Sequence, residues 1–157
     1  MNIFFLNVCA ILAAVLQCDK HVVKMILETA QLLSTAHFEL DGESPAYKPT
    51  HKNHPSAVWV RQSSGNYLWL HAHLLALGEE YTKRYGKVHK TITEHAEALS
   101  RLPVNIPQGE FFEPPQCMPD ECKRDDTVLA YLTYYNHKAD EWAANGKPMK
   151  WYGETYE

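Results

Sequence analysis

One face of the first long helical segment carries groups that could do acid–base or amine chemistry. His21, Lys24 and Glu28 are spaced i, i+3 and i+7, and Lys20 precedes Lys24 by four residues, so a helix brings all four to one side. A carboxylate among cations can act as a general acid or base, or stabilise positive charge developing on a sugar. A lysine amine could hold phosphate or act as a nucleophile. The alternative is a solvated face with ordinary ion pairs.

Two short basic clusters are candidate phosphate sites, because cations next to a helix end suit an anion. The candidate residues are Lys48, His51, Lys52, His54 and Arg61 in the first cluster and Arg84, Lys87 and His89 in the second. The first cluster could equally be an ordinary surface loop. The cations of the second could simply complement the dipole of the helix that ends there.

An aromatic, proline-rich segment runs from Phe111 to Pro119 and contains no cation. It could wall one side of a base-sized pocket, with Gln116 contacting the Watson–Crick edge of a base. The alternative is a rigid strap packed over the core. Both interpretations require residues 102–119 to be loop, because five prolines interrupt them.

Three of the four cysteines could form a zinc site together with one histidine. Cys18 and His21 could join Cys117 and Cys122, but the second pair is widely spaced and the two halves are distant in sequence. We therefore predict no metal, no cofactor and reduced thiols, since a chain of this length can build a core without disulfides.

The elements that must position these groups are helices. Apolar periodicity and end signals predict helices over 8–16, 19–36, 55–62, 64–84, 91–101 and 126–143. Asp19 is placed to cap the second of these, Gly86 to end the fourth, and Thr91 with Glu94 to form a capping box. In the last helix Val128, Leu129, Leu132 and Tyr135 are expected to face inward. Residues 3–6 fit a short buried strand or an extended arm.

The fold class predicted from these elements is all-α: a compact single domain over residues 1–157, with five or six helices and long ordered loops. The chain is long enough for one ordinary core and too short for two full domains. The aromatic tail through Trp151 and Tyr152 is expected to lie back on the body.

The net charge of −4 excludes a strongly basic nucleic-acid binder. The charge is unevenly divided. Residues 17–90 carry nine basic and seven acidic side chains, a net +2, whereas residues 91–157 carry six and twelve, a net −6. An anion-binding surface is therefore expected within the first ninety residues.

The apolar stretch over residues 3–15 is too short to span a bilayer, and it has no basic residue before it and no clear cleavage site. We expect a cytoplasmic protein that makes no membrane contact. The basic clusters predict a ligand that carries phosphate, and the sequence leaves the oligomeric state open.

Asp19-Lys20-His21, with Glu28 seven residues after the histidine, resembles the first helix of the phage pyrimidine-dimer DNA glycosylases of endonuclease V type. In that family an Asp-Gln-His run precedes the catalytic glutamate at the same spacing. Asn53-His54-Pro55, the region from Glu80 to Lys87 and the Trp151-Tyr152-Gly153 ending are also similar to family members. Residues 18–37 resemble a widespread uncharacterised phage protein group, which suggests a phage protein acting in an infected bacterial host.

The resemblance implies an all-α DNA glycosylase and lyase. Members attack the sugar C1′ with the amine of an N-terminal threonine and then cleave the strand by β-elimination, assisted by a glutamate. By this resemblance Glu28 would be the assisting carboxylate and His21 its neighbour. The nucleophile does not carry over, since position 2 is asparagine, behind which methionine is normally retained. The amine of Met1, Lys20 or Lys24 would have to replace it.

Two other functions fit the same residues. A phage nucleotide-binding or counter-defence protein could use the pocket without catalysis, which the net charge of −4 and the missing threonine favour. A virion-associated interaction protein could use the aromatic tail as an interface.

Overall fold

A computed structural model describes residues 1–152 and 154–155, so that Gly153 of the aromatic tail lies outside the described residues. The helices are α1 (Ala10–Val15), α2 (Asp19–Asp41), α3 (Pro55–Val60), α4 (Ser64–Tyr85), α5 (Lys90–His95) and α6 (Thr127–Ala144). Ala98–Ser100 and Asp120–Cys122 form 3₁₀ turns. A short antiparallel pair, β1 (Lys150–Trp151) and β2 (Glu154–Thr155), follows α6. The all-α prediction is confirmed.

The core lies mainly between the two long helices, α2 and α4. Tyr67, Leu70, Leu74 and Leu77 form the buried stripe of α4, at the alternating three- and four-residue steps of an amphipathic helix. Burial of each of these leucines stabilises the fold by about 1.5–3 kcal/mol. Gly86 ends α4 in the left-handed conformation, as predicted. The two helices thus form the frame on which the site is built.

Residues 3–6 form an arm that passes into the core without pairing as a strand, and their side chains are almost fully buried. The predicted short strand is therefore wrong, and the predicted arm is extended except at Phe4, where the chain turns. Such deep burial fixes the position of the residues before it, Met1 and Asn2.

Two predicted helix-capping residues are wrong. Cys18, not Asp19, occupies the N-cap of α2, and the Asp19 carboxylate instead accepts a hydrogen bond from Arg84. His89, not Thr91, caps α5, because the His89 ring nitrogen accepts a hydrogen bond from the backbone N–H of Thr91. A side-chain acceptor outside the usual Ser, Thr, Asp and Asn set is not anticipated by sequence rules.

The buried stripe of α6 is also displaced from the predicted one. Leu129 and Leu132 are exposed, whereas Ala130 and Tyr131 are buried; Tyr135 is buried as predicted. The tyrosines pack inward because each hydroxyl finds a partner there, Pro115 O for Tyr131 and Cys18 N for Tyr135. These partners lie on other segments of the chain, so the apolar pattern of the helix alone could not predict that Tyr131 is buried.

The proline-rich loop is a packed strap across α3 and α4. The Trp59 indole N–H donates to Phe112 O at 2.8 Å, and Asn66 Oδ1 accepts from Phe112 N at 3.0 Å. Gly65 is required at the contact, since a Cβ there would lie 2.3 Å from the backbone nitrogen of Phe111. The strap brings Cys117 to the cleft described below.

Among the described residues, no helix is both long and apolar enough to cross a membrane.

Candidate active site

A cleft of about 410 Å³ opens beside the N-terminal half of α2. Four parts of the chain meet α2 there: the N-terminal arm, the turn before α3, the proline-rich strap and α6. Its lining residues are Met1, Asn2, Phe4, His21, Lys24, Met25, Glu28, His54, Cys117, Tyr134 and Lys138.

Glu28 lies between two amines in this cleft. Its Oε1 is 3.8 Å from the α-amine of Met1, and its Oε2 is 3.7 Å from Nζ of Lys24. The side chain of Lys24 is 64% exposed, whereas that of Met1 is 3% exposed and that of Glu28 17%. The carboxylate is therefore partly shielded from water, and only the α-amine is anchored by a buried side chain.

Asn2 holds the Met1 amine in place. Its Oδ1 accepts hydrogen bonds from the backbone nitrogens of Ile3 and Phe4, at 2.7 and 3.0 Å. Its Nδ2 donates to the backbone oxygen of Cys117 at 2.8 Å. Phe4 has a φ of 56°, a left-handed conformation that non-glycine residues rarely adopt. This turn directs the start of the chain toward Glu28.

His21 forms one wall of the cleft as a neutral ring. It stacks on Phe4 with ring centres 4.1 Å apart, and its Nδ1 shares a 2.7 Å hydrogen bond with the Tyr135 hydroxyl. Burial, together with the charges of Lys138, Lys24 and Lys20, lowers the pKa of His21 to about 3. The ring therefore stays uncharged at neutral pH and can act only through hydrogen bonds and packing.

Lysines and aromatic rings form a strip along one edge of the cleft. Lys138 Nζ lies 4.9 Å from the Tyr134 ring centre and 5.6 Å from that of Trp142. Lys20 Nζ lies 4.9 Å from the Trp142 ring centre. Cation–π contacts of this kind hold the lysines beside the cleft and leave their charge available to an anion.

The predicted catalytic set is partly brought together. His21, Lys24 and Glu28 line the cleft, whereas Lys20 lines an adjoining cleft with Asp19 and Trp142.

Of the predicted phosphate-binding residues, only His54 lines this cleft. His89 lies in a neighbouring groove that Lys24 and Glu28 also border. Four of the predicted residues are exposed and lie outside the cleft: Lys48, His51, Lys52 and Lys87. The remaining three, Arg61, Gln116 and Arg84, are bonded to the protein. Arg61 Nη1 donates to Lys52 O, and Gln116 Nε2 donates to Arg124 O.

Arg84 was predicted to bind phosphate, but its guanidinium lies in the interior and is bonded to protein groups. Its side chain is 3% exposed. Nη1 donates to Asp19 Oδ1 at 3.1 Å and Nη2 to Glu80 Oε1 at 3.0 Å. Two more bonds reach the backbone oxygens of Gln17 and Val15. Arg84 thus ties the end of α4 to the α1–α2 junction.

We expect Arg84→Met to lower the free energy of unfolding by about 3–5 kcal/mol, because it leaves the two carboxylates without their buried partner. Lys83→Met is the matched control, since Lys83 is the adjacent exposed cation, and we expect it to change stability by less than about 0.5 kcal/mol. Urea denaturation of both variants measures the difference. Equal stability of the two would show that the buried ion pairs are dispensable.

Sequence reasoning missed Phe4, Met25, Tyr134 and Lys138 as lining residues, whereas Cys117 belongs to the segment that was predicted to wall a pocket. A signal existed for two of them, because Tyr134, Lys138 and Trp142 recur every four residues and share one face of α6. Lys138 belongs to the acidic part of the chain, residues 91–157, outside the first ninety residues in which an anion-binding surface was predicted.

No group of three or more His, Cys, Asp or Glu side chains capable of holding a metal ion occurs within residues 1–152 and 154–155. The four cysteines, all within this part of the chain, are free thiols.

Comparison with protein families gives one match. Residues 1–94 of the 157 fit the family model described as pyrimidine dimer DNA glycosylase. The chain belongs to the pyrimidine dimer DNA glycosylase family. This confirms the resemblance inferred from the Asp19-Lys20-His21 run and Glu28. No curated protein and no solved structure matched in the same comparisons.

The part of the chain that matches the glycosylase family contains most of the cleft. Met1, His21, Lys24, Glu28 and His54 all lie within residues 1–94. The cleft is completed by lining residues beyond the match, which are Cys117, Tyr134 and Lys138.

Proposed function

We propose that this protein is a DNA glycosylase and abasic-site lyase that acts on pyrimidine dimers, with the α-amine of Met1 as its nucleophile. The observation that carries the proposal is the anchored Met1 amine 3.8 Å from Glu28, in a chain of the pyrimidine dimer DNA glycosylase family. The substrate class, pyrimidine dimers in DNA, is taken from the family description. An enzyme that acts on such DNA would work in the cytoplasm of a bacterial cell.

Met1 is preferred over Lys24 and Lys20 as the nucleophile because its amine is held in place. The Met1 side chain is buried, whereas the Lys24 side chain is 64% exposed and Lys20 is exposed. A fixed amine loses less conformational entropy on reaching C1′ than a mobile one.

The proposed reaction needs a base and a set of phosphate-binding cations. Glu28 takes the proton from C2′ during β-elimination and stabilises positive charge on the sugar and the imine. Lys24 and Lys138, with Lys20 on the adjoining edge, hold the phosphates that flank the target nucleotide. Lys48, His51, Lys52 and Lys87, all exposed outside the cleft, remain proposals for phosphates farther along the strand.

Borohydride trapping tests the function directly. The protein is incubated with UV-irradiated duplex DNA or with duplex DNA carrying one abasic site, and sodium borohydride is added. We expect a stable covalent protein–DNA adduct with both substrates, because borohydride reduces the imine that an amine nucleophile forms with C1′. Intact-protein mass spectrometry beforehand establishes that Met1 is retained.

If the protein forms an adduct with neither DNA, the proposal is wrong. A thermal-shift series with mononucleotides and cyclic nucleotides then tests the rival, a nucleotide-binding protein without catalysis. A ligand that binds only the folded state raises the melting temperature once its concentration exceeds Kd.

A further inference from the structure

The ring of His54 is held in one tautomer. The backbone N–H of Ser56 donates to His54 Nδ1 at 3.1 Å, which caps the start of α3. A backbone N–H can only donate, so Nδ1 carries no proton and the proton of the neutral ring is on Nε2. Within the described part of the chain, the hydrogen bond of the His54 ring is the one at Nδ1, and the ring lines the cleft together with Met1 and Glu28.

The turn that presents His54 is conformationally strained. His51 has a φ of 50°, and its oxygen accepts a hydrogen bond from the backbone nitrogen of His54 at 2.9 Å. Among the described residues, only His51 and Phe4 combine a positive φ with a side chain. Each shapes one of the two segments that bring His54 and Met1 to Glu28. Strain of this kind persists where a surrounding fold requires a particular geometry, often at functional sites.

The surroundings of His54 favour an uncharged ring. Partial burial lowers the pKa of His54, and the nearby charges of the Met1 amine and His51 lower it further, while Glu28 opposes them. A protonated ring would also lose the cap, since Nδ1 could no longer accept from Ser56. His54 is therefore suited to donate a hydrogen bond from a neutral imidazole rather than to bind phosphate as a cation.

We propose that His54 is a catalytic residue whose Nε2–H donates a hydrogen bond to the carbonyl oxygen of the pyrimidine that leaves C1′. This inference rests on the proposed function and assigns a step of it. Preorganised neutral donors stabilise charge that develops in the transition state, and a neutral histidine can serve in this way.

The step balances with the groups in the cleft. The lone pair of the Met1 amine forms a bond to C1′ while the C1′–N1 bond breaks, and that electron pair leaves with the pyrimidine. Negative charge reaches the carbonyl oxygen, where His54 donates, and the pyrimidine then takes one proton from the attached amine. The second amine proton passes to O4′ as the C1′–O4′ bond opens, which leaves the imine.

Two variants separate this donor from the capping role of the same residue. Serine and asparagine are both good N-caps, so His54→Ser and His54→Asn are expected to keep α3 and the melting temperature. His54→Ser removes the donor that reaches into the cleft, whereas His54→Asn keeps an N–H there. We expect His54→Ser to lose about 10²–10³-fold in the rate of C1′–N1 cleavage at dimers, and His54→Asn to lose less.

The decisive comparison uses a preformed abasic site, which has no base left to leave. His54→Ser should form the borohydride-trapped adduct on abasic DNA at close to the rate of the unchanged protein. If His54→Ser loses the same factor in rate on dimer and on abasic DNA, or cleaves dimers at an unchanged rate, the proposed role of His54 is wrong. Neither result would contradict the proposed function of the unchanged protein. If the unchanged protein forms no adduct on either DNA, the proposed function itself fails.

Discussion

Replacement of Glu28 by glutamine is expected to lower the rate of strand cleavage at dimers and abasic sites by about 10²–10⁴-fold, the usual contribution of a positioned acid–base group. Glutamine has nearly the same shape but cannot take a proton from C2′ or balance the charge of the imine. Single-turnover cleavage of a labelled duplex with one abasic site measures the loss.

The loss of activity should not be accompanied by unfolding. The partners of Glu28 are the Met1 amine and an exposed lysine, at 3.8 and 3.7 Å, and such long ion pairs contribute little to stability. Glu39→Gln on the same helix is the control, because Glu39 lies on α2 outside the cleft and should retain full activity. Retained cleavage by Glu28→Gln would remove Glu28 from the mechanism.

A single glycine placed before Met1 should abolish the trapped adduct. The arm has no slack, since residues 3–6 are buried and Asn2 is bonded to Cys117, so the new amine is moved by one residue, about 3.3–3.6 Å. Displacement on that scale removes the advantage of an aligned nucleophile, which reaches about 7–11 kcal/mol in well-oriented reactions. The added glycine can be exposed by proteolytic removal of a tag.

Lys24→Met is the matched comparison for the nucleophile. It removes the other amine beside Glu28 and is expected to weaken DNA binding while leaving the adduct detectable. Proteolysis of the trapped complex followed by mass spectrometry should locate the DNA on Met1. An adduct located on Lys24 would show that the lysine is the nucleophile. The same conclusion would follow if the glycine-extended protein still formed the adduct and the Lys24→Met variant did not.

Much of the site on α2 could be predicted from local spacing. His21, Lys24 and Glu28 share a helix face because side chains three, four and seven residues apart always do. Gly86 and Pro55 likewise marked helix ends through their own backbone preferences, and the structure confirms both. The role of Arg84 was not predictable in this way, because its partners Asp19 and Glu80 include one that is 65 residues away.

The sequence by itself determined the helical class, the side chains that share the cleft-lining face of α2, and the family, because periodicity, capping and motif spacing are local properties of the chain. Only the tertiary structure decided what meets that face. The buried arm places the Met1 amine in the cleft, and a strained turn places His54 there. Lys138 lines the cleft from α6, in the acidic part of the chain. These contacts depend on how distant segments pack, and packing is set by the complementary shapes and bonding partners of many residues together, which no single stretch of sequence contains.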